Sequence, residues 1–424
     1  MSDHNTDRRP PSLIKTLTGL RGNPRACIYT EPMWGLSMNL CLPYASVYML
    51  AIGLNDVKVG IIASIYMCSQ MIFSLLSGII NDKYGRRFST ALFDFLSWSV
   101  PCLIWAFAQG FWFFAVAAML NGMMKITEVS WDCLLVEDAE RSQITRIYTW
   151  VIICGNLSAV FAPIAAILVS KFSLVPAVRI LYINAFIIMT AKIVILYLCS
   201  KETQIGVKRM AETKNKSWLE LLSGYKHVLS QMLQSKGILF AIFISMIVSI
   251  SIMINSTFWQ IIASKYIGVP DTLLPIFPMV RSVISIVFLF GIIGKMNQKR
   301  LKHPLIIGFV SYLISCLLLI LTPGTTVFGY ICLGASILTE AFGVGTLSTL
   351  RESLVAIHAQ PAERSRILAV LHTTVMLISI PFGYISGLLS EVSRILPFVL
   401  IMCLIVVGIV ATALSKQLSD EAVV

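Results

Sequence analysis

Lys125, Glu128, Asp132, Arg281 and Glu340 are charged residues set within otherwise apolar stretches of this chain, and their spacing limits what they can do. Lys125, Glu128 and Asp132 stand at i, i+3 and i+7 in one stretch, so on a helix they share a face and Lys125 can neutralise Glu128. Arg281 and Glu340 fall near the middles of two further stretches and form a second candidate pair. If these stretches cross a bilayer, each charge costs roughly 2.5–3.5 kcal/mol on insertion scales, so it must face water or a partner. Such a carboxylate is balanced between desolvation, which favours the neutral form, and a nearby cation, which favours the charged form. It can therefore exchange a proton in the working pH range. Glu128, Glu340 and, after them, Asp132 are the candidates for that exchange. A permanent ion pair that fixes packing is the alternative reading of each pair. Lys125 and Arg281 suit an anionic or zwitterionic solute, with Asn39, Tyr44, Asn255 and Gln260 as uncharged polar contacts. His372 reads either as a further contact or as a packed polar residue.

The elements that would position these groups are membrane spans. Hydrophobic residues make up 57% of the 424, charged residues only 13%, and the mean hydropathy is +0.82, more than a water-soluble core needs. Measured against the roughly 20 residues that cross a bilayer, the apolar runs number about twelve. They centre near residues 43, 70, 98, 123, 158, 188, 247, 283, 313, 338, 378 and 404. Their length and lack of strict alternation make them helices rather than barrel strands.

Lys and Arg gather on alternate loops. Arg21 and Arg25 precede the first run, Lys83, Arg86 and Arg87 follow the second, Lys201, Lys208 and Arg209 follow the sixth, and Lys299 and Arg300 follow the eighth. The other loops hold chiefly Lys58, Lys171, Arg179, Lys265 and Arg394. The positive-inside rule therefore predicts two cytoplasmic termini, and it assigns the net charge of +12 to topology instead of a nucleic-acid partner. An integral multi-pass protein of a bacterial inner membrane is expected, without a removable signal peptide. The ten cysteines lack metal-ligand spacing, so no metal or cofactor is expected. The motifs of hydrolases, metalloproteases and ATP-driven machines are missing, which argues against an enzyme and for an ion gradient as the energy source.

Between the second and third runs stands Gly78-Ile-Ile-Asn-Asp82-Lys83-Tyr84-Gly85-Arg86-Arg87. This spacing resembles the signature loop of the major facilitator superfamily. The resemblance implies an all-α membrane protein of about twelve transmembrane helices in two pseudo-symmetric six-helix bundles, with a solute site between them. It also implies a cytoplasmic gate built from Asp82, Arg86 and Arg87, with Asp132, Glu137 or Asp138 as partners. Gly78 would allow close helix packing and Gly85 a tight turn. The two halves repeat: Trp131-Asp132 is followed by Glu140-Arg141-Ser142-Gln143-Ile144, and Arg351-Glu352 by Glu363-Arg364-Ser365-Arg366-Ile367. Glu352 thus holds the place of Asp132 and joins the gate candidates.

The expected organisation is a cytoplasmic segment (1–32), a first bundle (33–199), a cytoplasmic linker (200–236), a second bundle (237–415) and a cytoplasmic tail (416–424). Within the linker, Trp218, Leu221, Leu222, Tyr225, Val228, Leu229 and Leu233 recur at helical spacing, so an amphipathic surface helix is expected there. The function that follows is secondary active transport of a small organic solute by alternating access, coupled to protons, by a monomer in a lipid bilayer. The run Ser158–Ala166, with Pro163, is a reduced form of an exporter pattern and leans the direction to antiport. Proton-coupled uptake of an anionic or zwitterionic solute is one alternative, and a transport-inactive receptor or lipid-handling protein on the same scaffold is another.

Overall fold

The computed structural model describes residues 17–140, 143–217, 235–291, 302–358 and 364–415, and among these there is no strand. The chain is an all-α membrane protein. Nine of the described helices are long and apolar enough, each by itself, to cross a membrane. The twelve spans form two six-helix halves.

Span one is α1 (Gly22–Cys41) and α2 (Ala45–Ala51), joined through a 3₁₀ turn at Leu42–Tyr44 where Pro43 lacks an N–H to continue the ladder. Span two is the unbroken α3 (Asp56–Tyr84), started by the Asn55 side chain, which accepts from the Lys58 N–H. Span three, α4 (Arg86–Asp94) and α5 (Val100–Ala106), widens into a π turn at Phe95–Ser99 just before Pro101. Span four divides at Gly122 into α6 (Phe111–Asn121) and α7 (Met124–Val136). Span five is α8 (Ile144–Ser158) and α9 (Pro163–Phe172), and span six is α10 (Leu174–Cys199). A short helix, α11 (Gln204–Thr213), opens the linker. The amphipathic stretch Trp218–Leu233 lies outside the described residues. The second half follows as α12 (Lys236–Ile261), α13 (Ile276–Gly291), α14 (Lys302–Ile320), α15 (Val327–His358), α16 (Arg364–Val392) and α17 (Leu396–Leu414).

Lipid tails are as apolar as leucine, so helices here associate through close packing, which small residues allow. Large apolar side chains such as Ile187, Leu198, Val327 and Val407 remain on the outside, as a bilayer permits. The halves meet most closely where α3 crosses α16. A Cβ on Gly60 would lie 2.4 Å from the Gly383 carbonyl oxygen, and one on Gly387 would lie 2.9 Å from the Asp56 carbonyl oxygen. That crossing lies toward the end opposite the basic loops.

Candidate functional site

In the first half, α7 presents Lys125 and Glu128 on one face, with Nζ 2.5 Å from Oε2. The Glu128 side chain is 58% exposed, yet its electrostatic neighbours include His372 of α16, which also senses Arg351 of α15. Glu128 of the first half and His372 of the second thus interact electrostatically between the halves. Asp132, one turn further along α7, accepts a 2.6 Å hydrogen bond from the Tyr148 hydroxyl.

In the second half, three helices converge on one acid. Glu340 of α15 is buried, with Oε2 2.6 Å from Nη2 of Arg281 on α13 and Oε1 accepting from Asn255 Nδ2 of α12 at 2.7 Å. The Arg281 guanidinium lies 5.7 Å from the Trp259 ring centroid, its side chain is 32% exposed, and among the described residues its buried Nε makes no hydrogen bond. One edge of the cation is thus spent on Glu340, while part of the side chain stays exposed.

The other polar candidates divide. Asn39 is spent on backbone, donating to Gly35 O at 2.8 Å and Gly155 O at 3.5 Å. The Tyr44 hydroxyl and Gln260 Oε1 are buried, with no hydrogen-bond partner among the described residues.

The signature loop is built by its glycine. Gly85 caps α3 with φ +84°, a conformation side chains avoid, and a Cβ there would lie 2.6 Å from Glu202 Oε2. That carboxylate accepts from the backbone N–H groups of Arg86 (2.8 Å) and Arg87 (2.9 Å), satisfying two open donors at the start of α4. The Arg86 guanidinium reaches Asp82 at 2.9 Å and Glu137, at the end of α7, at 3.3 Å. Arg87 donates to the Tyr197 carbonyl oxygen and stacks on the Tyr197 ring at 4.0 Å. Gly78 is half-buried in α3. These contacts join the loop to its own half and to the start of the linker. Of the sequence's three partner candidates, Arg86 meets Glu137. Asp132 instead bonds Tyr148, and Asp138 accepts from Asn23 at 3.3 Å. The Glu352 side chain lies outside the described residues.

At the end opposite the basic loops, polar groups cross between the halves. Asp56 Oδ2 accepts from Ser390 at 2.6 Å and from Arg394 at 3.4 Å, while Glu391 accepts from Asn55 at 3.2 Å and from the Val57 N–H at 3.3 Å. Deeper in, Ser64 donates to the Ile380 carbonyl oxygen at 2.7 Å and Ser46 to that of Thr257 at 2.6 Å. This latch ties the two halves together at that end. Sequence reading took Arg394 only as a sparse loop cation and overlooked Asp56. It also overlooked Glu31, Asp94 and Lys192, although each is a charge within an apolar run, the same signal that singled out Glu128.

Two six-helix bundles that touch at one end, with charged groups of both lying between them, are the arrangement of a membrane transporter. The sequence profile of the Major Facilitator Superfamily matches residues 33–383, and the chain belongs to that superfamily. No curated protein matches the chain in sequence. Among solved structures, a mutant of the nucleoside transporter NupG is similar with a TM-score of 0.75 and 16% identity, covering 92% of this chain and 99% of that one. A POT family transporter in complex with 5-aminolevulinic acid gives a TM-score of 0.68 at 16% identity, covering 96% and 99%. Peptide transporter POT in complex with sulfate gives 0.66 at 14% identity, again covering 96% and 99%.

Proposed function

We propose that the protein is a proton-coupled secondary active transporter that exports a small organic solute in exchange for protons. The Glu340 site carries this reading. A carboxylate at mid-span, held by one cation and one amide, is the group on which gaining or losing a proton would free or engage Arg281 for a ligand. Glu128, paired with Lys125 and exposed to the gap, is the second proton site, and Asp132 the third. The basic end is cytoplasmic by the positive-inside rule, so the conformation described is inward-facing. Asp82, Arg86 and Arg87 form the cytoplasmic gate, and residues 33–199 and 237–415 are the two moving halves of a monomer. Solved transporters of similar fold carry nucleosides and peptides, which supports a small polar organic solute.

A screen of such solutes in proteoliposomes with an imposed pH gradient tests the proposal. Glu340→Gln should abolish gradient-driven accumulation yet retain downhill exchange, because the amide keeps the shape and removes the titration. Full accumulation by both Glu340→Gln and Glu128→Gln would refute proton coupling at these acids. Normal accumulation by the double variant Arg281→Gln with Glu340→Gln would reduce that pair to packing.

A further inference from the structure

The first half holds a second charged cavity. Glu31 and Trp34 of α1, Asp94 and Trp98 of span three, and Trp131 of α7 line a space of about 180 Å³ that also touches Glu128 and Lys192. Its charges do not cancel. Lys192 Nζ lies 2.6 Å from Asp94 Oδ2 with both side chains buried, and Glu128 is taken by Lys125. Glu31 senses Lys192 electrostatically, but among the described residues it makes no hydrogen bond or ion pair of its own. The cavity therefore holds more acids than cations, with Glu31 and Asp94 sharing the one ammonium of Lys192.

The tryptophans define what can answer that charge. Trp34 and Trp98 meet edge to face with ring centroids 5.5 Å apart, and the buried Trp131 indole N–H has no partner among the described residues. Indole faces attract cations and repel anions through the ring quadrupole. A carboxylate in excess among such faces selects a positive group on an apolar body. The space is smaller than the roughly 300–1,000 Å³ of sites that enclose a whole drug-sized ligand, so it takes one end of a solute.

We propose that this cavity is the subsite for a cationic amine group of the transported solute, with Glu31 as its counter-charge and Trp34, Trp98 and Trp131 as its walls. The inference rests on reading the gap between the halves as the solute path, and binding at equilibrium tests it with no gradient present. Titration calorimetry on the purified full-length chain would compare three probes of one shape: 2-phenylethylamine, 2-phenylethanol and phenylacetate. The amine should bind at least roughly ten-fold more tightly than the other two, the scale of one charge-assisted contact. Glu31→Gln should erase that preference and Glu31→Asp should keep it, with the melting temperature unchanged in both. Equal binding of the three probes, binding of none, a preference for phenylacetate, or a preference that survives Glu31→Gln in a folded protein would each overturn the subsite. Should Glu31→Gln fail to fold, the ranking of the probes on the unaltered protein decides alone. Amine selectivity without proton-driven accumulation would leave the subsite standing and sink the coupling reading. Accumulation without amine selectivity would do the reverse.

Discussion

Adding one methyl group at Gly60 should reset the conformational balance of the whole molecule. In the clamped state, the Cβ of Gly60→Ala would sit 2.4 Å from the Gly383 carbonyl oxygen and 2.9 Å from the Gly387 Cα. Both are backbone atoms of α16, so neither can swing aside as a long side chain would. Overpacking of this kind costs about 1–3 kcal/mol. The cost falls on the state in which α3 and α16 touch at the latch, and a state with the latch parted escapes it. The equilibrium should therefore move roughly 5- to 150-fold toward the parted state. Labelling of a Leu54→Cys reporter with an impermeant maleimide, in a background lacking the exposed Cys199 and Cys403, reads the change, since Leu54 is buried at the latched end. The labelling rate should rise with Gly60→Ala and stay at the parent value with Gly334→Ala, whose Cβ would meet nothing within 4 Å. A parent-like labelling rate in Gly60→Ala, with a lowered melting temperature, would show that the glycine contact persists throughout the cycle, and the reasoning would fail.

Three further outcomes follow from other contacts. Lys192→Met alone should lower expression and melting temperature sharply, because removing one member of a buried ion pair costs about 3–5 kcal/mol, while Lys192→Met with Asp94→Leu should recover most of the loss. A double variant as unstable as the single one would mean that the pair contributes more than charge balance. Gly85→Ala should destabilise the signature loop by about 1–3 kcal/mol through its positive φ, and melting of the variant checks it. A cysteine at Thr325 should react with an impermeant reagent applied from outside the cell and one at Thr213 should not; the opposite pattern would invert the orientation.

Span number and fold class were legible because the bilayer fixes how long an apolar run must be, and no side-chain detail can alter that length. The breaks within spans one, three and five were less visible, although each sits at a proline (Pro43, Pro101 and Pro163) whose missing N–H interrupts the helical ladder. The site was legible in proportion to how local its geometry is. Lys125 and Glu128 meet because a helix alone brings i and i+3 together. Arg281 and Glu340 are 59 residues apart, and spacing gave no more than mid-span depth for each; their 2.6 Å contact depends on how α13 packs on α15. Asp94 and Lys192 are the harder case, 98 residues apart on different spans, with nothing local to name the partner of either. Glu202 shows the same limit outside the membrane. In sequence it is one polar residue in a polar linker, and only the path of the chain back beneath α3 sets its carboxylate on the open N–H groups of Arg86 and Arg87. Charge within an apolar run therefore tells which residues need partners, but which partners they take is decided by helix packing, a property of pairs of spans that no single stretch of sequence carries.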